Sequence, residues 1–504
     1  MLTTVLLIPF AAAILILFMN GDRVAGIQKT ATIAVLLTFL GSLILLFGYD
    51  RANPDMQFVD SFAWVPLLNI HFMVGVDGIS LWMVVLTAFL SILAVRFSAG
   101  QAQNPKYYLA LILLLETGLL GVFVALDLIL FYVFWELMLI PTYFLIGLWG
   151  EGRRVYATTK FVIYTLAGSL LMLVGMIWIT VIHYTATHEL TFDIQTLIHT
   201  QIPGDIQILI FLFFFLAFAI KVPVFPFHSW LPHAYVACPI PVLILITGAM
   251  SKTGAYGFIR FCLPMFPEVI HDWGTWIAAA AVGGIIYGAW IAIAQKDLKA
   301  LVAYSSISHL GFVVLGIFAV NGQGVEGSVL QMVNHGIIAS ALFIIVGIIE
   351  KRLGTRNLNE FSGLKKAMPI LYGMFMLITL AALGLPGLNG FVGEFLILMG
   401  VWTSSHLKEM AVLFVLGAGL AIVYASIYML FMFQGSMQDK GEKISDKVGD
   451  VNETEAGLLV PACILILFIG LYPKPFIDTM SASVHKLLHV EKTVQIFSDE
   501  GGGH

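Results

Sequence analysis

The sequence predicts an all-α polytopic membrane protein: about fourteen transmembrane helices, two inverted five-helix repeats, and breaks in the seventh and twelfth helices. Three observations predict this. Of 504 residues, 60% are hydrophobic and 11% charged, with a mean hydropathy of +0.96. Soluble domains carry roughly 25% charged residues, so this chain lacks the polar residues to cover a water-facing surface. Apolar runs of about 20 residues, enough to cross a bilayer, recur with little between them. Finally, two of these runs are interrupted by proline or glycine and carry an ionisable residue beside the interruption.

In order, the runs fall near 1–20, 28–48, 79–97, 107–124, 127–149, 158–183, 205–226, 240–262, 274–295, 299–319, 326–350, 367–402, 409–434 and 457–473. The first lacks a basic start and a small-residue cleavage site, so it reads as a retained helix and not a signal. The seventh ends in "KVPVFPFHSWLP", where Pro223 and Pro226 remove amide donors and break the helix. The twelfth contains "LPGLNGFVGE", with three glycines and a proline in one apolar stretch. The breaks lie five helices apart, which suggests one repeat over 107–263 (helices 4–8) and a second over 274–435 (helices 9–13). An odd number of crossings inverts the second unit, and paired broken helices in inverted repeats mark transporters. Residues 1–106 then hold helices 1–3, and 436–504 hold a loop, helix 14 and the tail. The stretches 49–78 and 184–204 read as loops.

Lysine and arginine placement sets orientation. Loops after odd-numbered helices hold seventeen of the 25 basic residues, from Arg23 through Lys299 to Lys440, Lys443 and Lys447. Arg51, Arg260 and Lys408 fall in the other loops, and Lys474, Lys486 and Lys492 in the tail. The bias places both termini on the periplasmic side. Lys221 and Lys252 remain, both inside predicted helices. A net charge of -5 gives no footprint for nucleic acid. Cys238, Cys262 and Cys463 form neither a disulfide framework nor a metal spacing.

A charge at mid-bilayer costs about 2.5–3.5 kcal/mol on insertion scales, so the intramembrane ionisable groups are the candidate site: Glu136, Lys221, Lys252, His309, His335 and Glu394, with Glu116 less decided. Asp127 reads as a solvated helix start, and a lone buried histidine often only satisfies a nearby serine or carbonyl. Burial and opposite charge shift a pKa in opposing directions, so a lysine that gains and loses a carboxylate neighbour can take up and release a proton. Histidine shuttles between such sites. Moving a proton against 100 mV takes about 2.3 kcal/mol, comparable to a shift of about two pKa units. No nucleotide loop, CxxC or dinucleotide fingerprint is present, so the energy must come from an ion gradient or a partner.

Five stretches, "FYVFWELMLIPTYFLIGLWG", "KVPVFPFHSWLP", "DLKALVAYSSISHLGFV", "QMVNHGI" and "LPGLNGFVGEFLIL", together resemble the antiporter-like membrane subunits of respiratory complex I, NADH-quinone oxidoreductase. The resemblance covers nearly the whole chain and is strongest from about 107 to 400. It implies pairing of Glu136 with Lys221, a central hydrophilic axis through Lys252, His309 and His335, and Glu394 facing an exit half-channel. In sibling subunits L and N, and in Mrp-type antiporter subunits, lysine is usual at the last position, so glutamate sets this chain apart from them. The resemblance implies a non-redox, proton-translocating subunit of the enzyme in a bacterial inner membrane. Partner subunits, notably L and N and a peripheral redox arm, would surround it, and partners would bind NAD, FMN, iron–sulfur clusters and quinone. An Mrp-type cation/proton antiporter subunit, or a plastoquinone- or hydrogenase-linked equivalent, stays open as an alternative. One departure stands out: His233 and Tyr235 replace the aspartate and histidine usual after "HSWLP", and Cys238 precedes Pro239.

Overall fold

Proline, glycine and aspartate decide where this apolar chain starts, breaks and restarts its helices. The structure, a computed structural model, describes residues 1–100, 103–438 and 448–501, with side chains to His489. Lys440, Lys443, Lys447 and the side chain of Lys492 therefore lie outside the described residues. The chain opens with α1 (Leu2–Phe18) and α2 (Val24–Gly48), then a hairpin of β1 (Gln57–Val65) and β2 (Ile70–Val76). There follow α3 (Gly78–Phe97), α4 (Pro105–Val124), α5 (Leu128–Trp149), α6 (Arg154–Thr187), short α7 (Ile194–Leu197), α8 (Gly204–Lys221) and α9 (Trp230–Ala237). The next span is α10 (Ile240–Leu245), α11 (Ser251–Gly257) and α12 (Leu263–Met265), joined by π-helical turns at Ile246–Met250 and Phe258–Cys262. The remainder is α13 (Pro267–Ile293), α14 (Leu298–Ile317), α15 (Gly322–Leu353), α16 (Pro369–Ala382), α17 (Asn389–Thr403), α18 (Ala411–Met437), α19 (Glu453–Leu471) and α20 (Lys474–Gly501).

Twelve of these helices, with Ile240–Met265 taken as one, are individually long and apolar enough to cross a membrane. The expected count of about fourteen requires α1 and the interrupted α16–α17 pair to cross as well. The span Ile240–Met265 and α15 are buried along their whole apolar windows and α14 almost so, whereas α2, α18 and α19 expose most of theirs. These three helices, surrounded by protein almost throughout, thus form the centre. An ionisable group there escapes the cost of facing lipid.

The same clasp occurs twice. Asp127 caps α5 by accepting from the Ile129 and Leu130 amides, and Asp297 caps α14 by accepting from Ala300. The residue after each aspartate pairs its backbone with the segment leading to a broken helix. Leu128 N–H donates to Phe192 and Ile194 N–H to Leu126; Leu298 N–H donates to Arg356 and Leu358 N–H to Lys296. Two interruptions occur where expected, between α8 and α9 and between α16 and α17.

Three expectations need correction. The loop 49–78 contains the antiparallel β1–β2 pair, with Asn69 in the left-handed region at its turn. The tail from 474 is helical as α20. Asp127 starts a helix but is buried, not solvated, and also accepts from the His71 amide at 3.0 Å. The backbone pairing of the clasp seals it from water.

Candidate functional site

The α8 break shows how a lysine comes to rest among apolar side chains. Pro223 cannot donate, so the Val222 and Val224 amides fold back onto the Phe218 and Ala219 carbonyls at 2.9 and 2.8 Å. The Ile220 carbonyl, freed by the break, accepts the Trp230 indole N–H at 2.8 Å. Lys221 is left on the last turn, 1% exposed, with its ammonium 5.2 Å from the Trp135 ring centre and 5.8 Å from that of Phe161. Two aromatic faces thus offset part of its desolvation. Glu136, beside Trp135 on α5, acts on Lys221 electrostatically but does not close an ion pair with it. One Glu136 oxygen has no hydrogen-bond partner among the described residues. The implied Glu136–Lys221 pair is therefore open in this structure, because the ammonium turns to the aromatic faces.

Lys252 lies just after the first π-helical turn, fully buried. In that turn the Ser251 amide reaches Ile246 instead of Thr247, as expected where a π-turn widens the helix, a feature common at functional sites. The Lys252 ammonium then donates to the Thr247 carbonyl and lies 3.3 Å from the Ser251 hydroxyl. It also lies 2.7 Å from His335 Nδ1 on α15. Gly254 lets this helix close on α8, since a side chain there would meet the Phe218 carbonyl at 2.6 Å.

From His335 the ionisable groups continue. The His335 and His309 rings are 5.7 Å apart, and His309 Nδ1 lies 2.9 Å from Glu394 Oε1. Gln331 donates to the same oxygen at 3.2 Å. Glu394 reaches this point because the chain breaks at 383–388, where Gly384 (φ +77°) and Gly387 (φ +91°) adopt a backbone that side-chained residues resist. Asn334 holds the restart of the helix through the Asn389 carbonyl at 2.7 Å. Lys252, His335, His309 and Glu394 therefore form one buried chain of donors and acceptors. Both close contacts fall within the reach required for proton transfer, and 5.7 Å between rings is a span one bridging water covers. Glu116 does not join it: it faces α3 near Ser91, with neither oxygen hydrogen-bonded among the described residues. Tyr428 on α18 is buried in the field of Glu394, with its hydroxyl unpartnered among the described residues, and hydropathy did not single it out.

Two clusters were missed. Lys299, counted as a loop residue, is fully buried between Glu151 (3.4 Å) and Glu350 (3.5 Å), and Arg356 binds Glu151, Glu350 and Asp297 beside it at 2.6–3.0 Å. Burial works against the Arg356 charge, but Asp297, Glu350 and Glu151 together outweigh it and hold the guanidinium still more firmly protonated. Arg260, also counted as a loop residue, is buried against Asp77 at 2.8 Å. Both sit within a turn or two of a helix end, where sequence alone reads a cation as reaching water. The loop bearing His233 is the helix α9; His233 is exposed and bonded to the Ser229 carbonyl at 2.9 Å, whereas Tyr235 is buried with its hydroxyl facing Thr247 and Ser251.

Residues 125–421, which contain Glu136, both lysines, both histidines and Glu394, match the family described as the NADH:quinone oxidoreductase/Mrp antiporter transmembrane region. The chain belongs to this family. Among relatives, it is 39% identical to subunit M of NADH-quinone oxidoreductase from Rhodobacter capsulatus, over 97% of this chain and 96% of that one. It is 38% identical to chain 4 of NADH-ubiquinone oxidoreductase from Arabidopsis thaliana, over 97% of each. A chain of respiratory complex I from Thermus thermophilus superposes with a TM-score of 0.86 at 30% identity, covering 97% of this chain and all of that one. A chain of the Mrp complex from a Dietzia species has a TM-score of 0.83 at 20% identity, covering 97% and 98%, and shares the fold. The quinone oxidoreductase/antiporter family thus joins the fold and the buried axis in one chain.

Proposed function

We propose that the chain is the proton-translocating membrane subunit of an NADH-quinone oxidoreductase, carrying protons along Glu136, Lys221, Lys252, His335, His309 and Glu394. The observation that supports this most is the contact series Lys252–His335, His335–His309 and His309–Glu394, in which every member can hold or pass a proton. The open Glu136–Lys221 pair supplies the switch. When the carboxylate closes on the ammonium, the protonated lysine is stabilised; when it withdraws, the buried charge loses its partner and the proton moves on. Lys252 receives it and His335 takes it from there to His309 and Glu394.

In this reading the subunit binds no redox group. NAD, FMN, iron–sulfur clusters and quinone belong to partner subunits, with the antiporter-like subunits L and N beside this one and the peripheral redox arm supplying the drive. The repeats span 107–263 and 274–435, an assignment supported by the duplicated aspartate clasp, and both termini face the periplasm of a bacterial inner membrane. A glutamate at 394 that pairs with a histidine, where lysine is usual in Mrp-type subunits, favours this reading over cation exchange. The test is Lys221→Ala and Glu136→Ala in the assembled complex. Each abolishes NADH-driven proton uptake by membrane vesicles while the complex still assembles; normal coupled pumping in either variant refutes the switch.

A further inference from the structure

An apolar cavity lies beside α15, with none of the ionisable groups of the axis in its lining. It has a volume of about 370 Å³, is bounded by α2, α3, α15, α19 and the start of α20, and is lined almost wholly by apolar atoms. That volume is in the range of ligand sites, about 300–1,000 Å³. Its floor is α15 at Val333 and Ile337, and its rim is formed by Phe47 and Phe468, both exposed on the lipid-facing side. From Phe39 to Phe47 it follows α2 for about 12 Å at 1.5 Å per residue, most of one leaflet's share of a hydrocarbon core about 30 Å thick. Arg51 stands at the mouth just past the end of α2, exposed, and it makes no ion pair or hydrogen bond among the described residues.

We propose that this cavity is a binding site for one anionic membrane phospholipid, with an acyl chain lying between α2 and α19 and the headgroup phosphate on Arg51. The two halves of the site match the two halves of that ligand: an apolar slot at hydrocarbon depth, and an unpartnered guanidinium, the side chain best suited to phosphate, where the headgroup lies. A quinone tail would leave the guanidinium without an anion. A partner helix filling an almost wholly apolar groove would likewise leave the Arg51 guanidinium without an anion.

The complex, reconstituted in vesicles containing phosphatidylglycerol with a photoactivatable diazirine midway along one acyl chain, tests this by mapping labelled peptides. The label falls on the α2 and α19 peptides containing Phe47 and Phe468. Arg51→Glu, on an exposed loop, lowers that labelling about fivefold or more, the loss expected when one basic contact to an anionic lipid is removed. The same diazirine on phosphatidylcholine labels these peptides to a similarly reduced extent. Val85→Trp, which fills the slot from α3, suppresses labelling by either lipid. Labelling that ignores Arg51→Glu, stronger labelling by a photoactivatable quinone tail, or cross-linking of the rim to a neighbouring subunit in place of lipid would each overturn the proposal.

Discussion

Glu394→Gln isolates one link of the axis without changing its shape. Glutamine keeps the length of the side chain and an oxygen for Gln331, but it loses the charge that faces His309 at 2.9 Å. A hydrogen bond to a charged group contributes about 1.5–3 kcal/mol. At about 1.36 kcal/mol per tenfold, its loss weakens the contact between positions 309 and 394 roughly 10- to 150-fold. If each proton must cross that contact before leaving, flux falls by at least about tenfold. Glu394→Asp keeps the charge one methylene further away and falls less. The assay is NADH-driven proton uptake by vesicles, measured beside quinone reduction and the amount of assembled complex. Uptake per assembled complex above half of wild type in the glutamine variant would refute the reasoning, since the carboxylate would then have no part in carrying the proton.

Other outcomes follow from the same geometry. Lys252→Arg keeps the positive charge but cannot release a proton; with at least about two pKa units separating the side chains, pumping falls about a hundredfold or more, and wild-type uptake would show that Lys252 need not deprotonate. Trp230→Phe leaves the Ile220 carbonyl without its partner, at a cost of about 1–3 kcal/mol, so amide exchange across 222–229 speeds up at least fivefold; unchanged exchange would mean the indole does not hold the break. Asp60 is held below the usual aspartate range, chiefly by the Thr3 amide. A depressed native pKa contributes stability above the unfolded value and loses it as pH falls through the native one. An acid-active protease should therefore release residues 1–3 increasingly at low pH, and Asp60→Asn should expose them at neutral pH; equal protection in that variant would contradict the assignment.

Hydropathy alone located the membrane spans, the two broken helices and the lysines that could not belong to loops. These are sums over neighbouring residues, and lipid imposes one length and one polarity on every span. It failed where a residue sits near a helix end. Lys299 and Arg260 read as loop cations, yet folding draws Lys299 under Glu151 and Glu350 and Arg260 against Asp77. The hairpin at 57–76 was also invisible, because its strands gain their meaning only from pairing.

Within the axis, no partnership could be read from the order of residues along the chain. Glu394 lies 85 positions from His309, and Lys252 lies 83 from His335, yet each pair is in hydrogen-bond reach. Meanwhile Glu136 and Lys221, expected to pair, stand apart, with the ammonium over Trp135. Residue identity determined which groups can carry a proton and that lipid must not touch them. Helix rotation, the π-turn that precedes Lys252 and the glycine break before Glu394 decided which groups meet. The reason is that each contact depends on the angular position of a side chain on its own helix, and a shift of one residue swings it by about 100° away from its neighbour.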